Sequence, residues 1–110
     1  MKNYRKRIAD DILMRKLEGK GAVLIEGPKW CGKTTTAEQF AASILYMDDP
    51  EKKAQNITMS ELNPKRLLKG ATPRLIDEWQ LAPKLWDAIR FEVDHRGELG
   101  QFLLTGSAVP

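Results

Sequence analysis

Short apolar runs and stretches with helical periodicity follow one another along the chain. Runs of four to six mostly apolar residues, bounded by polar or glycine-containing turns, are typical of buried strands. They occupy residues 22–25, 43–47, 73–78 and 101–104. Because helical stretches separate them, the pattern predicts an α/β domain with a mostly parallel sheet and helices on both faces.

The helical stretches differ in the strength of their signals. Ile8, Ile12, Leu13 and Leu17 recur at helical spacing before a glycine, which predicts a leading amphipathic helix over residues 1–20 that packs on a core of residues 21–110. Residues 35–42 can carry a second helix. Proline at a first helical position predicts helices over 64–69 and 83–93, whereas residues 51–55 are only weakly helical.

The loop after the first strand carries the clearest chemical signal. Gly27–Thr34 matches G-x-x-x-x-G-K-[ST], the Walker A phosphate loop, between a predicted strand and a predicted helix. In such a loop backbone N–H groups surround phosphates, Lys33 reaches the β- and γ-phosphates, and the Thr34 hydroxyl binds Mg²⁺. The sequence therefore predicts ATP and Mg²⁺ as ligands. The residues expected to contact the nucleotide are Gly27, Pro28, Lys29, Trp30, Cys31, Gly32, Lys33, Thr34 and Thr35.

Two carboxylates end the third predicted strand, where ligands of open α/β sheets bind. We expect Asp77 to hold Mg²⁺ together with Thr34, and Glu78 to activate the attacking water as in a Walker B motif. A solvated acidic turn is the alternative. Together with Lys33 and Thr105, Glu78 is a candidate catalytic residue.

Hydroxyl groups end the fourth predicted strand. Thr105, ahead of Ser107, is expected to contact the γ-phosphate or the attacking water, and the alternative is a bond to local backbone. Arg96 could approach a phosphate, although a surface ion pair fits its neighbourhood better.

Composition and charge bear on the domain count and cellular location of the protein more than on its chemistry. The 110 residues carry a net charge of +3 and suit one domain, and this charge does not by itself imply nucleic acid. A basic segment over residues 2–7 could bind nucleic acid or be a solvated arm. The lone Cys31 excludes an intrachain disulfide, and no run has the length of a membrane helix, so we expect a cytoplasmic protein.

Four segments carry a family resemblance. Gly27–Thr36, Tyr46–Asp49, Leu75–Gln80 and Phe102–Ser107 resemble prokaryotic AAA-type ATPases of the group usually followed by a DUF4143 domain. The resemblance implies the additional-strand class of P-loop proteins, a three-layer sandwich with sheet order 5-1-4-3-2. It also implies Glu78 as the base and Thr105 as the phosphate sensor.

The resemblance further implies a fifth strand, a lid and an arginine finger beyond the fourth strand, so we expect the chain to be the N-terminal part of such a domain. The strand over residues 22–25 would then form a sheet edge, which predicts self-association. An ATPase that drives conformational change is the first functional hypothesis. A small-molecule kinase and a module that binds nucleotide or nucleic acid without turnover are the alternatives.

Overall fold

A computed structural model describes residues 20–27 and 33–107, with side chains at all of these except 26, 27, 33–36 and 107. The predicted leading helix falls on residues 1–19, outside the described residues, and so do Pro28, Lys29, Trp30, Cys31 and Gly32 of the predicted phosphate loop. Within the described part, no helix combines the length and apolar character that crossing a membrane requires.

Strands and helices alternate as the hydrophobic pattern predicts. The strands are β1 (Ala22–Gly27), β2 (Ser43–Tyr46), β3 (Arg74–Asp77) and β4 (Phe102–Ser107). The helices are α1 (Lys33–Phe40), α2 (Lys53–Leu62), α3 (Pro64–Leu67) and α4 (Lys84–Arg96), with a 3-10 turn over Trp79–Leu81.

All described strands are parallel, in the order β1-β4-β3-β2. This agrees with the 1-4-3-2 portion of the order that the resemblance implies. Within the described sheet, β4 and β3 are central, and β1 and β2 form the edges. The apolar runs of β3 and β4, without polar alternation, fit strands that are buried on both faces.

Two apolar clusters hold helices against opposite faces of the sheet. Neighbouring residues of one strand face opposite ways: Leu75 packs with Ala37 of α1, whereas Ile76 packs with Leu85 and Ile89 of α4. All five are nearly inaccessible to solvent. The result is the predicted three-layer α/β sandwich of a P-loop NTPase-like fold.

Two helices extend beyond their predicted limits. The weak signal at 51–55 becomes a helix that continues to Leu62, in which buried Ser60 donates from Oγ to the carbonyl of Ile57 at 2.6 Å. Helix α4 continues beyond Val93, its predicted end, as far as Arg96. It ends there because Gly97 takes the left-handed conformation (φ 64°), which favours glycine after a helix. The last turn of α4 is polar, so no apolar periodicity in the sequence indicates it.

Candidate active site

Residues from all four strands meet along the carboxyl edge of the sheet. The register places Tyr46 beside Asp77, Asp77 beside Thr105, and Thr105 beside Ile25. Two residues beyond Ile25, Gly27 ends β1 at the point where the predicted phosphate loop begins. The acidic strand end and the hydroxyl-bearing strand end therefore lie next to the start of that loop.

Asp77 and Thr105 are joined by a buried hydrogen bond. The Thr105 hydroxyl donates to Asp77 Oδ1 at 2.6 Å, and the two residues are 0% and 7% exposed respectively. A bond between a hydroxyl and a carboxylate is stronger than one between neutral groups. The hydroxyl thus holds the side chain expected to bind Mg²⁺, instead of satisfying local backbone.

Glu78 follows in an unusual backbone conformation. Its φ and ψ are 58° and 47°, the left-handed region that a glutamate rarely adopts. The chain then turns through the 3-10 segment, in which the backbone N–H of Leu81 donates to the Glu78 carbonyl at 3.1 Å. This turn brings Gln80 back, so that its Nε2 donates to Glu78 Oε1 at 2.6 Å. The Glu78 residue is 8% exposed.

Gly106 on β4 leaves room for the 3-10 turn that follows Glu78. A Cβ at this position would lie 2.6 Å from Gln80 Oε1 and 3.1 Å from Trp79 Nε1. The Gly106 φ is outside the positive range, so close packing and not backbone conformation requires the glycine. The segments around Asp77 and Thr105 therefore touch at two places, one polar and one steric.

Helix α1 is tied to the same edge through β2. The Tyr46 hydroxyl donates to Glu38 Oε2 at 2.5 Å. That bond, followed by desolvation and the negative charges of Glu38 and Asp77, raises the pKa of Tyr46 to about 12. The contact holds the helix that follows the phosphate loop against the strand beside Asp77.

The remaining predicted ligands lie at the start of α1. The backbones of Lys33, Thr34 and Thr35 form its first turn, which a short connection joins to Gly27. A helix start offers unpaired N–H groups and the positive end of the helix dipole, both of which favour phosphate. This backbone placement fits the predicted cofactor site.

The donor groups at the carboxyl edge can be compared with those that Mg²⁺ requires. Among the described residues no group of three or more His, Cys, Asp or Glu side chains could enclose a metal. Mg²⁺ is commonly held by one or two carboxylates, with phosphates and waters completing its shell. The buried Asp77 carboxylate, near the start of the predicted phosphate loop, fits that donor set.

Arg96 lies away from this edge. Its Nε donates to Glu92 Oε1 at 3.0 Å, and its Nη1 donates to Oε1 of Gln101, the residue before β4, at 2.9 Å. Its guanidinium also covers the ring of Phe102, with 5.0 Å between its carbon and the ring centroid. Because β4 begins here, Arg96 sits at the opposite, amino edge of the sheet, and the ion-pair alternative describes it.

Comparison with known proteins now adds to this geometry. A family model described as an AAA domain matches residues 19–110. The chain belongs to this AAA-domain family. No curated protein and no solved structure matches it significantly. Membership identifies a nucleotide-binding ATPase module, so ATP is the ligand that the family supports for this AAA chain.

Three residues of this edge were given no role by sequence reasoning. Gln80 stands in a segment that carries the resemblance, but its contact with Glu78 depends on the left-handed turn. Glu38 and Tyr46 are eight positions apart, and only the packing of α1 on the sheet pairs them. A carboxylate and a tyrosine at this separation have no local pattern to reveal them.

Proposed function

We propose that the chain binds ATP with Mg²⁺ and hydrolyses it to drive conformational change in attached or partner segments. The observation that carries the proposal is the buried Asp77–Thr105 pair, placed beside the end of β1 in a member of the AAA family. A buried carboxylate and a hydroxyl at this edge, next to the start of the predicted phosphate loop, support the proposal.

Each residue has a distinct role in this proposal. The loop and the first turn of α1 hold the phosphates, with Lys33 supplying positive charge. Thr34 and Asp77 hold Mg²⁺, which when bound neutralises charge on the phosphate oxygens. Glu78 accepts the proton of the attacking water. Thr105 senses the phosphate through Asp77, to which its hydroxyl donates.

The decisive experiment uses the 110-residue chain. Calorimetric titration with ATP and Mg²⁺ measures binding, and phosphate release without an added acceptor measures hydrolysis. Binding with steady release supports the ATPase. Release that requires an acceptor indicates the kinase alternative, and binding without release indicates a module without turnover. Loss of binding after chelation of Mg²⁺ supports the metal assignment.

We also propose self-association through β1, which lies at one edge of the described sheet. Leu24 on this strand is 39% exposed, and it borders an apolar groove of about 380 Å³. An exposed strand edge can pair with another chain. The apolar residues that line the groove are Ala22, Leu24, Trp86, Ile89, Val93 and Leu104.

Sedimentation at micromolar concentration tests the association. A dimer that dissociates on introducing a charge at Leu24 (Leu24→Lys) supports it, with Leu62→Lys, at a 78% exposed residue of α2, as the control. A clean monomer with slowly exchanging Val23 and Ile25 backbone amides contradicts it.

Three wider assignments complete the proposal. The sequences of Asp77–Gln80 and Phe102–Ser107 support assignment of the chain to the AAA-type ATPases usually followed by a DUF4143 domain, because they resemble that group. A single cysteine is compatible with the cytoplasm. Binding of nucleic acid rests on residues 2–7, which lie outside the described residues.

A further inference from the structure

We propose that Gln80 is a positioning residue that holds the Glu78 carboxylate in its working orientation, with Gly106 providing the space for Gln80. This inference rests on the proposed function, because the orientation matters only if Glu78 activates water. It assigns roles to two residues that neither the phosphate loop nor the acidic pair includes.

The backbone makes the Gln80 contact possible. Glu78 occupies the left-handed region, and the 3-10 turn after it closes with N–H groups of Leu81 and Ala82 donating to the carbonyls of Glu78 and Trp79 at 3.1 and 2.9 Å. Within this turn, Gln80 Nε2 lies 2.6 Å from Glu78 Oε1. A hydrogen bond to one oxygen restricts the rotation of a carboxylate about its last bond.

The other end of the Gln80 amide faces β4. Its Oε1 would lie 2.6 Å from a Cβ at position 106, closer than real Cβ contacts allow. Gln80 therefore spans the distance from the backbone of β4 to the Glu78 carboxylate. Since Thr105 precedes Gly106 and bonds to Asp77, a shift of the β4 end would move both acidic side chains together.

The same contact could instead hold Glu78 away from the attacking water. The two readings predict opposite signs: loss of a positioning contact slows hydrolysis, whereas loss of a sequestering contact accelerates it. The positioning role is favoured because the turn that carries this contact keeps Glu78 directly after Asp77 at the carboxyl edge of the sheet, next to the end of β1 where the predicted phosphate loop begins.

Kinetics provide the first test. Gln80→Leu removes the amide, and Gly106→Ala displaces it, because a flexible side-chain end is the nearest atom to the added methyl group. We expect kcat to fall roughly ten- to a hundredfold in each variant, with KM for ATP within about twofold. The double variant should be no slower than the slower single variant, because both remove one contact.

The control is Gln55→Leu, at an exposed position on α2, which should leave kcat unchanged. The proposal would be overturned if Gln80→Leu had a higher kcat than the wild type. It would also be overturned if kcat of the double variant fell by the product of the two single effects. A wild-type chain without phosphate release would refute the ATPase function, and the catalytic part of this inference with it.

Nuclear magnetic resonance tests the contact without turnover. The side-chain amide signals of Gln80, assigned by their loss in Gln80→Leu, should move in Glu78→Ala and in Gly106→Ala, while those of Gln55 stay in place. If the Gln80 signals stayed in place in both variants, the Gln80 amide would not be bonded to the Glu78 carboxylate, and Gly106 would not determine the position of the amide. This result would reject the contact even in an active ATPase.

Discussion

Replacing Thr105 with valine isolates the hydrogen bond that joins the two central strands at their carboxyl ends. Valine keeps the shape of threonine but puts a methyl group where the hydroxyl donates to Asp77 Oδ1 at 2.6 Å. A hydrogen bond to a charged group contributes about 1.5 to 3 kcal/mol, and Thr105 is completely buried. We therefore expect Thr105→Val to lower the free energy of unfolding by about 2 kcal/mol.

Urea denaturation followed by circular dichroism measures this loss. With an m-value of about 1.5 kcal/mol per molar urea, the midpoint should fall by about 1.3 M. Thr105→Ser is the matched control, because it keeps the hydroxyl and removes one buried methyl group, which costs about 1 kcal/mol. If serine destabilised the protein more than valine, methyl packing and not the bond to Asp77 would be the main role of Thr105 in the fold.

Three further predictions concern the nucleotide and the strand edge. Lys33→Ala should weaken calorimetric ATP binding by about a hundredfold or more, since the backbone N–H groups of the loop cannot replace a full charge; unchanged affinity would remove Lys33 from the site. Glu78→Gln should keep ATP bound but slow phosphate release by about 10²- to 10⁴-fold, whereas Asp77→Asn should reduce the Mg²⁺ dependence of binding; identical phenotypes would contradict the division of roles. Ultraviolet titration should show Tyr46 ionising at about pH 12, with the stabilisation by its bond to Glu38 present below about pH 10 and lost as the pH rises toward 12; Glu38→Ala should lower this pKa, and no change would refute the contact.

The sheet could be predicted from sequence because its signals are local. Each strand is indicated by an apolar run, and neighbouring residues such as Leu75 and Ile76 lie on opposite faces of the sheet. The order of strands came from the resemblance and not from the pattern. The pairing of Asp77 with Thr105 follows once that order is known, because β3 and β4 become neighbours.

The details at the carboxyl edge could not be predicted in this way. The contact between Gln80 and Glu78 requires a glutamate in the left-handed region, and intrinsic preference argues against that conformation. Nothing local in the sequence indicates that Gly106 leaves room for another side chain. Both depend on three-dimensional packing that no local pattern encodes.

At Glu78, a backbone conformation that lowers stability and a carboxylate proposed to act in catalysis belong to the same residue. Holding a non-glycine residue there costs about 1 to 2 kcal/mol, which a glycine would release. Selection for thermal resistance alone should therefore favour Glu78→Gly, and loss of the carboxylate with it, wherever this gain exceeds the loss of the Gln80 hydrogen bond. Persistence of glutamate at this position among functional variants would reveal a selective pressure that the folded state alone does not supply.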